Sequence, residues 1–443
     1  MIGRADGHPA RVIRTSTLVS LCLVACATPP PSAAQTSSST SALVLTGAHV
    51  LDERGGAWIE GSDVLVVGSK IERIGPASSL AAPADARRID LGGRYLVPGL
   101  IDLHSHLLLH PYDETPWDDQ VLKESLELRT IRATVAAKAT VEAGFTTLRD
   151  LGTEGAGFAD VALRDAIAKG MIPGPRIFAT TRAIVATGCY GPGAGFDPRW
   201  SVPKGAQEAS GVAEVRKAVR EQIAAGADWI KVYADYRRAK GSPATPTFSQ
   251  EELDALVDEA RSAGRPVAAH AATDEGIRRA VVAGVKTIEH GTGVSDATLA
   301  LMKEKNVVLC PTLAATEAVT RYAGWKAGEA EPPAIVESKA FFARALKSGV
   351  TIACGSDVGV FAHGTEAREI ELMVAYGMKP ADALRAATAT AADVLGHAKD
   401  LGRIAPGFRA DLAAFAGDPL HDATGLRNPA FVLEEGRVVV ERR

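Results

Sequence analysis

Six side chains in this 443-residue chain have the types and order needed to hold divalent ions around a reactive water. His104 and His106 lie two residues apart in Ile101-Asp102-Leu103-His104-Ser105-His106, and Lys231, His270, His290 and Asp357 follow. Side chains two apart on a strand point the same way, so one ion can take both imidazoles of the first pair. Imidazole and oxygen ligands suit zinc, with manganese or cobalt as substitutes. Ligation requires neutral imidazole, so such a centre weakens in acid. Asp357, in Gly355-Ser356-Asp357, has the chemistry of a general base that takes a proton from water and returns it to a leaving group. Each residue also has an ordinary explanation: a satisfied core histidine, or an aspartate capping the next helix.

Lys231 is the most informative of the six. It sits mid-strand in Ala227-Asp228-Trp229-Ile230-Lys231-Val232-Tyr233, where an inward ammonium would be desolvated. An unpaired buried charge is costly. The lysine must therefore reach solvent, pair with Asp235 or Glu289, or exist as a neutral amine. A neutral amine can add CO2 and offer two anionic oxygens, enough to bridge two ions about 3.5 Å apart.

These residues need a scaffold whose strand ends converge. Eight apolar, strand-like runs alternate with helical ones: Leu96–Leu103, Thr146–Asp150, Arg176–Thr180, Trp229–Tyr233, Val267–His270, Thr287–His290, Val307–Thr312 and Thr351–Asp357. Ser249 and Glu252 form a capping-box pattern that opens one helix. The alternation predicts an α/β protein with a (β/α)8 TIM-like barrel over 95–401, and such barrels carry their chemistry at the C-terminal strand ends. Short strands and turns at 42–94 and 402–443 predict one composite β-sandwich built by both chain ends.

The first residues read as targeting rather than fold. Arg4, Arg11 and Arg14 precede an apolar stretch from Thr17 to Ala25 that is too short to span a bilayer. Leu23-Val24-Ala25-Cys26 resembles a bacterial lipobox, which predicts a signal peptide over 1–26, a lipid anchor on Cys26 and an exported protein. A plain secretory signal cut near Ala34 is the alternative. A Pro/Ser/Thr/Ala tether over 27–41 has too little apolar surface to fold. With 46% hydrophobic residues, a net charge of −4 and no polybasic run, the chain has no footprint for nucleic acid. Beyond the signal it has Cys189, Cys310 and Cys354; a bond between the last two stays open.

Several phrases carry a resemblance. Pro98-Gly99-Leu100-Ile101-Asp102 before the His pair, Gly144–Asp150, Val282–Gly291 and Gly402–Leu412 resemble the amidohydrolase superfamily, and within it the imidazolonepropionase-like and prolidase-like dipeptidases and carboxypeptidases. Some members hydrolyse ochratoxin-type amides. The resemblance implies two divalent ions bridged by N6-carboxylated Lys231, Asp357 as base, and a small amide or peptide substrate cut beside a free carboxylate. It also implies a homo-oligomer. Tyr190 stands where many members have a histidine, and Ala272 where many have a tyrosine; both positions are associated with substrate, and Ala272 would widen the pocket. Tyr233, Arg237 and His363 are further candidates for substrate contact. Hydrolysis of cyclic amides, or a non-catalytic binding role on the same scaffold, remain the competing readings.

Overall fold

The computed structural model describes residues 42–442 except 77, 193–195, 198 and 240. The signal peptide, Cys26 and the tether lie outside the described residues. Two parallel sheets carry the middle of the chain. One has the strands Leu100–Ser105, Phe145–Asp150 and Arg176–Ala179. The other runs Gln207–Ala209, Ile184–Ala186, Ile230–Tyr233, Val267–Thr273, Thr287–Gly293 and Val308–Cys310. Helices such as Leu126–Glu142, Gln250–Ser262 and Asp274–Ala283 connect successive strands. Most strands are short continuous apolar runs because both faces are covered. The helix starts follow the sequence signals: Ser249 and Glu252 make the expected reciprocal capping box.

Backbone hydrogen bonds link the two parallel sheets on both sides. The Asp228 and Trp229 amides donate to the Ala179 carbonyl. On the other side, Thr351 to Val358 lies between Val308–Cys310 and Leu100–Ser105. Leu309 N donates to Thr351 O at 2.9 Å, and Leu103 N donates to Cys354 O at 3.0 Å. The expected eighth strand is therefore a segment held by isolated bridges at Ile352 and Val358 rather than a regular ladder.

The chain ends build two further sheets. One has Ala42–Thr46, Ser62–Val67, Lys70–Pro76 and Arg87–Asp90. The other contains Arg437–Glu441, Phe431–Glu434, Leu412–Phe415, Tyr95–Pro98, His49–Leu51 and Trp58–Ile59. Leu45, Val66, Val97, Phe415 and Val432 belong to the same apolar cluster as Ile230 and Val267, so the terminal sheets share a core with the parallel strands. Cys189, Cys310 and Cys354 are all free thiols. No helix among the described residues is long and apolar enough to cross a membrane.

One expected element is divided. The run from Leu96 to Leu103 reads as a single strand, but the chain changes sheets at Gly99. Tyr95–Pro98 pairs with Leu412–Phe415, whereas Leu100–Ser105 pairs with Phe145–Asp150. A Cβ on Gly99 would lie 2.0 Å from Thr146 Oγ1 and 2.8 Å from Thr146 Cγ2. Thr146 is buried, and its hydroxyl has no hydrogen-bond partner. We predict that Gly99→Ala lowers stability by about 1–3 kcal/mol, the usual range for overpacking, and that adding Thr146→Ala recovers much of it. Thermal unfolding of the single and double variants checks this; an unchanged midpoint for Gly99→Ala alone would refute the steric account.

Candidate metal centre

The backbone aims the first three candidates at one another. His104 lies in the Leu100–Ser105 strand and its carbonyl accepts from Asp357 N at 2.7 Å. The His106 amide donates to Val358 O at 2.8 Å. Asp357 is thereby brought alongside the His pair. Its φ of 63° is positive, as are those of His290 (69°) and Thr312 (51°). Non-glycine residues pay of order 1–3 kcal/mol each for such a conformation. Here it occurs where the chain turns at the strand ends and points these side chains inward.

Nε2 of His104 lies 3.4 Å from Asp357 Oδ1, and Nε2 of His106 lies 3.2 Å from the same oxygen. The three residues can each offer one ligand atom within 4.8 Å of the others. The far nitrogens are committed elsewhere: His104 Nδ1 meets Glu289 Oε2 at 2.9 Å, and His106 Nδ1 meets the Gly152 carbonyl at 3.0 Å. Each Nδ1 acts as donor to these oxygens, which leaves Nε2 as the ligand atom. His270 and His290 line the same cavity of about 370 Å³, together with Tyr112, Tyr190, Tyr233 and Tyr236. Ring centroids are 5.2 Å apart for His104 and His290 and 4.6 Å for His270 and His290. His290 Nδ1 is held by Thr312 Oγ1 at 2.7 Å.

Lys231 is fully buried and its Nζ has no hydrogen-bond partner. Neither acid that a structural lysine would use is free for it. Asp235 accepts from the Ala272 and Thr273 amides and from Thr273 Oγ1. Glu289 accepts from Arg149 Nη2 at 2.9 Å and from Thr287 Oγ1, besides facing His104. Arg149 also donates to the Leu103 carbonyl and sits 4.4 Å from the centre of the Trp229 ring. The floor of the site is thus a buried Arg149–Glu289 pair.

Electrostatics separate the groups. Burial lowers the pKa of His104 and His270 well below the ordinary value and takes His290 to about 4, so these imidazoles are neutral near pH 7. Burial also pulls Lys231 down to about 8, against the pull of Glu289 and Asp357. For His106 burial acts downward, but Asp357 and Glu154 outweigh it and raise the pKa to about 9. Burial would raise Asp357; the facing imidazoles of His104 and His106 overcome it and hold the carboxyl well below the carboxylate range. The position that His106 and Asp357 share thus favours a positive charge.

The substrate-contact candidates divide. Tyr190 and Tyr233 line the cavity, and Tyr233 stacks on His270 with centroids 4.4 Å apart. Arg237 is exposed and lies over the Tyr236 ring, in an adjoining cavity of about 600 Å³. Ala272 and His363 are not among the residues that line the metal-facing cavity. The Ala272 amide donates to Asp235, and a ring nitrogen of His363 is 3.2 Å from the Leu109 carbonyl. Sequence reasoning did not identify Arg149 or Glu154, and named Glu289 only as a partner for Lys231. Arg149 and Glu289 carried a usable signal, since each is a charge inside a strand-like run, as Lys231 is.

The sequence matches the model of the amidohydrolase family over residues 95–440. It is 32% identical over 368 residues to the ochratoxinase of Aspergillus niger, an alignment covering 76% of this chain and 73% of that one. A solved Xaa-Pro dipeptidase with methionine bound in its active site superposes with a TM-score of 0.80 at 32% identity, covering 90% of this chain and 99% of the other. A prolidase complexed with N-methylphosphonate-L-proline gives a TM-score of 0.78 at 31% identity, covering 91% and 100%.

Removing one partner of a buried ion pair strands the other charge. Arg149→Met should therefore cost about 3–5 kcal/mol, and Glu289→Gln in the same chain should recover part of the loss. Urea unfolding tests both; an Arg149→Met protein as stable as the parent would remove the pair from this role.

Proposed function

The chain belongs to the amidohydrolase family and is a hydrolase acting on C–N bonds with a TIM-like barrel fold, and from that premise we propose a binuclear metalloenzyme that cleaves an amide beside a free carboxylate. The substrate is a dipeptide, a C-terminal residue of a short peptide, or an N-acyl amino acid. Amides of the ochratoxin A type, cut to ochratoxin alpha and phenylalanine, fall within this class. The likeness to the ochratoxinase and to the prolidase holding a phosphonate of proline supports this range.

The observation that carries the reading is Lys231. A buried amine without a hydrogen-bond partner, close enough to His104, His270, His290 and Asp357 to interact with each electrostatically, fits a lysine that is N6-carboxylated and shared between two ions. His104, His106 and Asp357 would hold one ion, His270 and His290 the other, with Lys231 between them; zinc suits this donor set. Bound there, the ions supply Lewis acidity to the amide carbonyl and acidify the attacking water.

The protein's own groups do the rest. Asp357 takes the proton of the attacking water on its carboxylate and delivers it to the leaving nitrogen, so that no free amide anion forms. Glu289 and the Gly152 carbonyl fix which nitrogen of His104 and His106 faces inward. Tyr233, braced on His270, and Tyr190 orient the substrate; Arg237 lies further out.

Chelator treatment should abolish activity, and zinc should restore it. Asp357→Asn should lose about 10²–10⁴-fold in kcat, the usual worth of a general acid–base group. Lys231→Ala should lose its metals and nearly all turnover, with partial rescue by acetate or propionate; full activity in Lys231→Ala would refute the carboxylated bridge. The substrate class is checked with Xaa-Pro dipeptides, aromatic dipeptides and ochratoxin A, and inactivity on all three would overturn it.

A further inference from the structure

Glu154 belongs to none of the roles assigned above, yet it is a buried carboxylate between the metal-facing and aromatic halves of the site. It lies just past the Phe145–Asp150 strand, with a positive φ of 50°. Its Oε2 accepts two bonds, from Trp117 Nε1 at 2.9 Å and from Tyr190 Oη at 2.5 Å. Its Oε1 has no hydrogen-bond partner and lies 3.8 Å from His106 Nδ1. Arg129, the adjacent cation, is spent on carbonyls, including that of Glu154 itself at 2.7 Å and that of Leu108. Among the described residues, His106 is the only basic side chain within ion-pair distance of the Glu154 carboxylate.

A charged group that is this buried needs a countercharge. The 3.8 Å separation is too long for a hydrogen bond, and His106 Nδ1 already donates to Gly152 O. The interaction is therefore electrostatic without a hydrogen bond: a carboxylate behind a ligand nitrogen makes that imidazole a better donor to a cation. The other oxygen works on the wall. Tyr190 packs on Trp117, Tyr233 and Tyr236 with centroids 4.9, 4.5 and 5.0 Å apart, so fixing its hydroxyl fixes the centre of the aromatic group.

We propose that Glu154 is a positioning residue that ties the aromatic wall of the substrate cavity to the metal-ligand candidate His106. The proposal rests on the metal-dependent amide hydrolysis argued above. One carboxylate sets the distance between the bound substrate and the ions: Oε2 places the wall and Oε1 supports the ligand.

The two oxygens can be tested apart. Glu154→Gln keeps an oxygen acceptor for Trp117 and Tyr190 but loses the charge. It should weaken zinc binding about 10- to 100-fold while KM stays near the parent value. Tyr190→Phe keeps the ring but loses the bond, and should raise KM with zinc affinity unchanged. In Glu154→Ala both change, and adding Tyr190→Phe should raise KM no further, because the shared bond is already gone. Zinc affinity is measured on metal-stripped protein by competition with a chromophoric chelator, and a thermal midpoint reports folding. Zinc affinity unchanged in a folded Glu154→Gln protein overturns the proposal, as do independent effects of Glu154→Ala and Tyr190→Phe on KM. If the parent protein cleaves none of the amides, the proposed function fails while the zinc measurement still decides the role of Glu154.

Discussion

The buried pair of Arg149 and Glu289 is the constraint on which the site rests. It joins the Phe145–Asp150 strand of one parallel sheet to the Thr287–Gly293 strand of the other, with the two side chains fully enclosed. Each charge is costly alone, so an arrangement of these strands that separated the two would be strongly disfavoured. The remaining Glu289 oxygen then orients His104, and the Arg149 guanidinium covers Trp229, two residues before Lys231. Because Glu289 is consumed in this way, Lys231 is left without an acid. A structural salt bridge in the floor thus produces the unpaired amine that the chemistry calls for.

Above the floor the cavity has two characters. One side presents four imidazoles and a carboxylate, and the other is aromatic. The chain has only seven tyrosines, and Tyr112, Tyr190, Tyr233 and Tyr236 all line this cavity. Such rings present apolar faces with polar tips, able to hold the flat parts of an amide substrate and to donate hydrogen bonds to its oxygens. His270 belongs to both sides, since Tyr233 stacks on the ring that faces His290.

Much of this was legible before any coordinates. His104, His106, His270, His290 and Asp357 end or follow strand-like runs, and these five line one cavity; Lys231 stands out as a charge within such a run. The break at Gly99 is hidden in the sequence because Leu96 to Leu103 is apolar on both sides of it; the strand pairing shows that the chain changes sheets there. The surroundings of Ala272 and His363 are not legible for a related reason: Asp235 and the Leu109 carbonyl, which contact them, are distant in the chain. Glu154 sits in a loop without periodicity, and its position follows from Trp117 and Tyr190, which no local pattern links to it.

The change of sheets at Gly99 also bears on how the molecule is made. Tyr95–Pro98, immediately before the strand that bears His104, takes its partner from Leu412–Phe415, more than three hundred residues later. During synthesis that partner appears only after every proposed ligand has been made. The strand that opens the reactive cluster therefore stays without its full support until then, and contacts of such long sequence separation form slowly. A chain stopped short of Leu412 would contain every proposed ligand and still lack three of the six strands in the sheet that adjoins the first two.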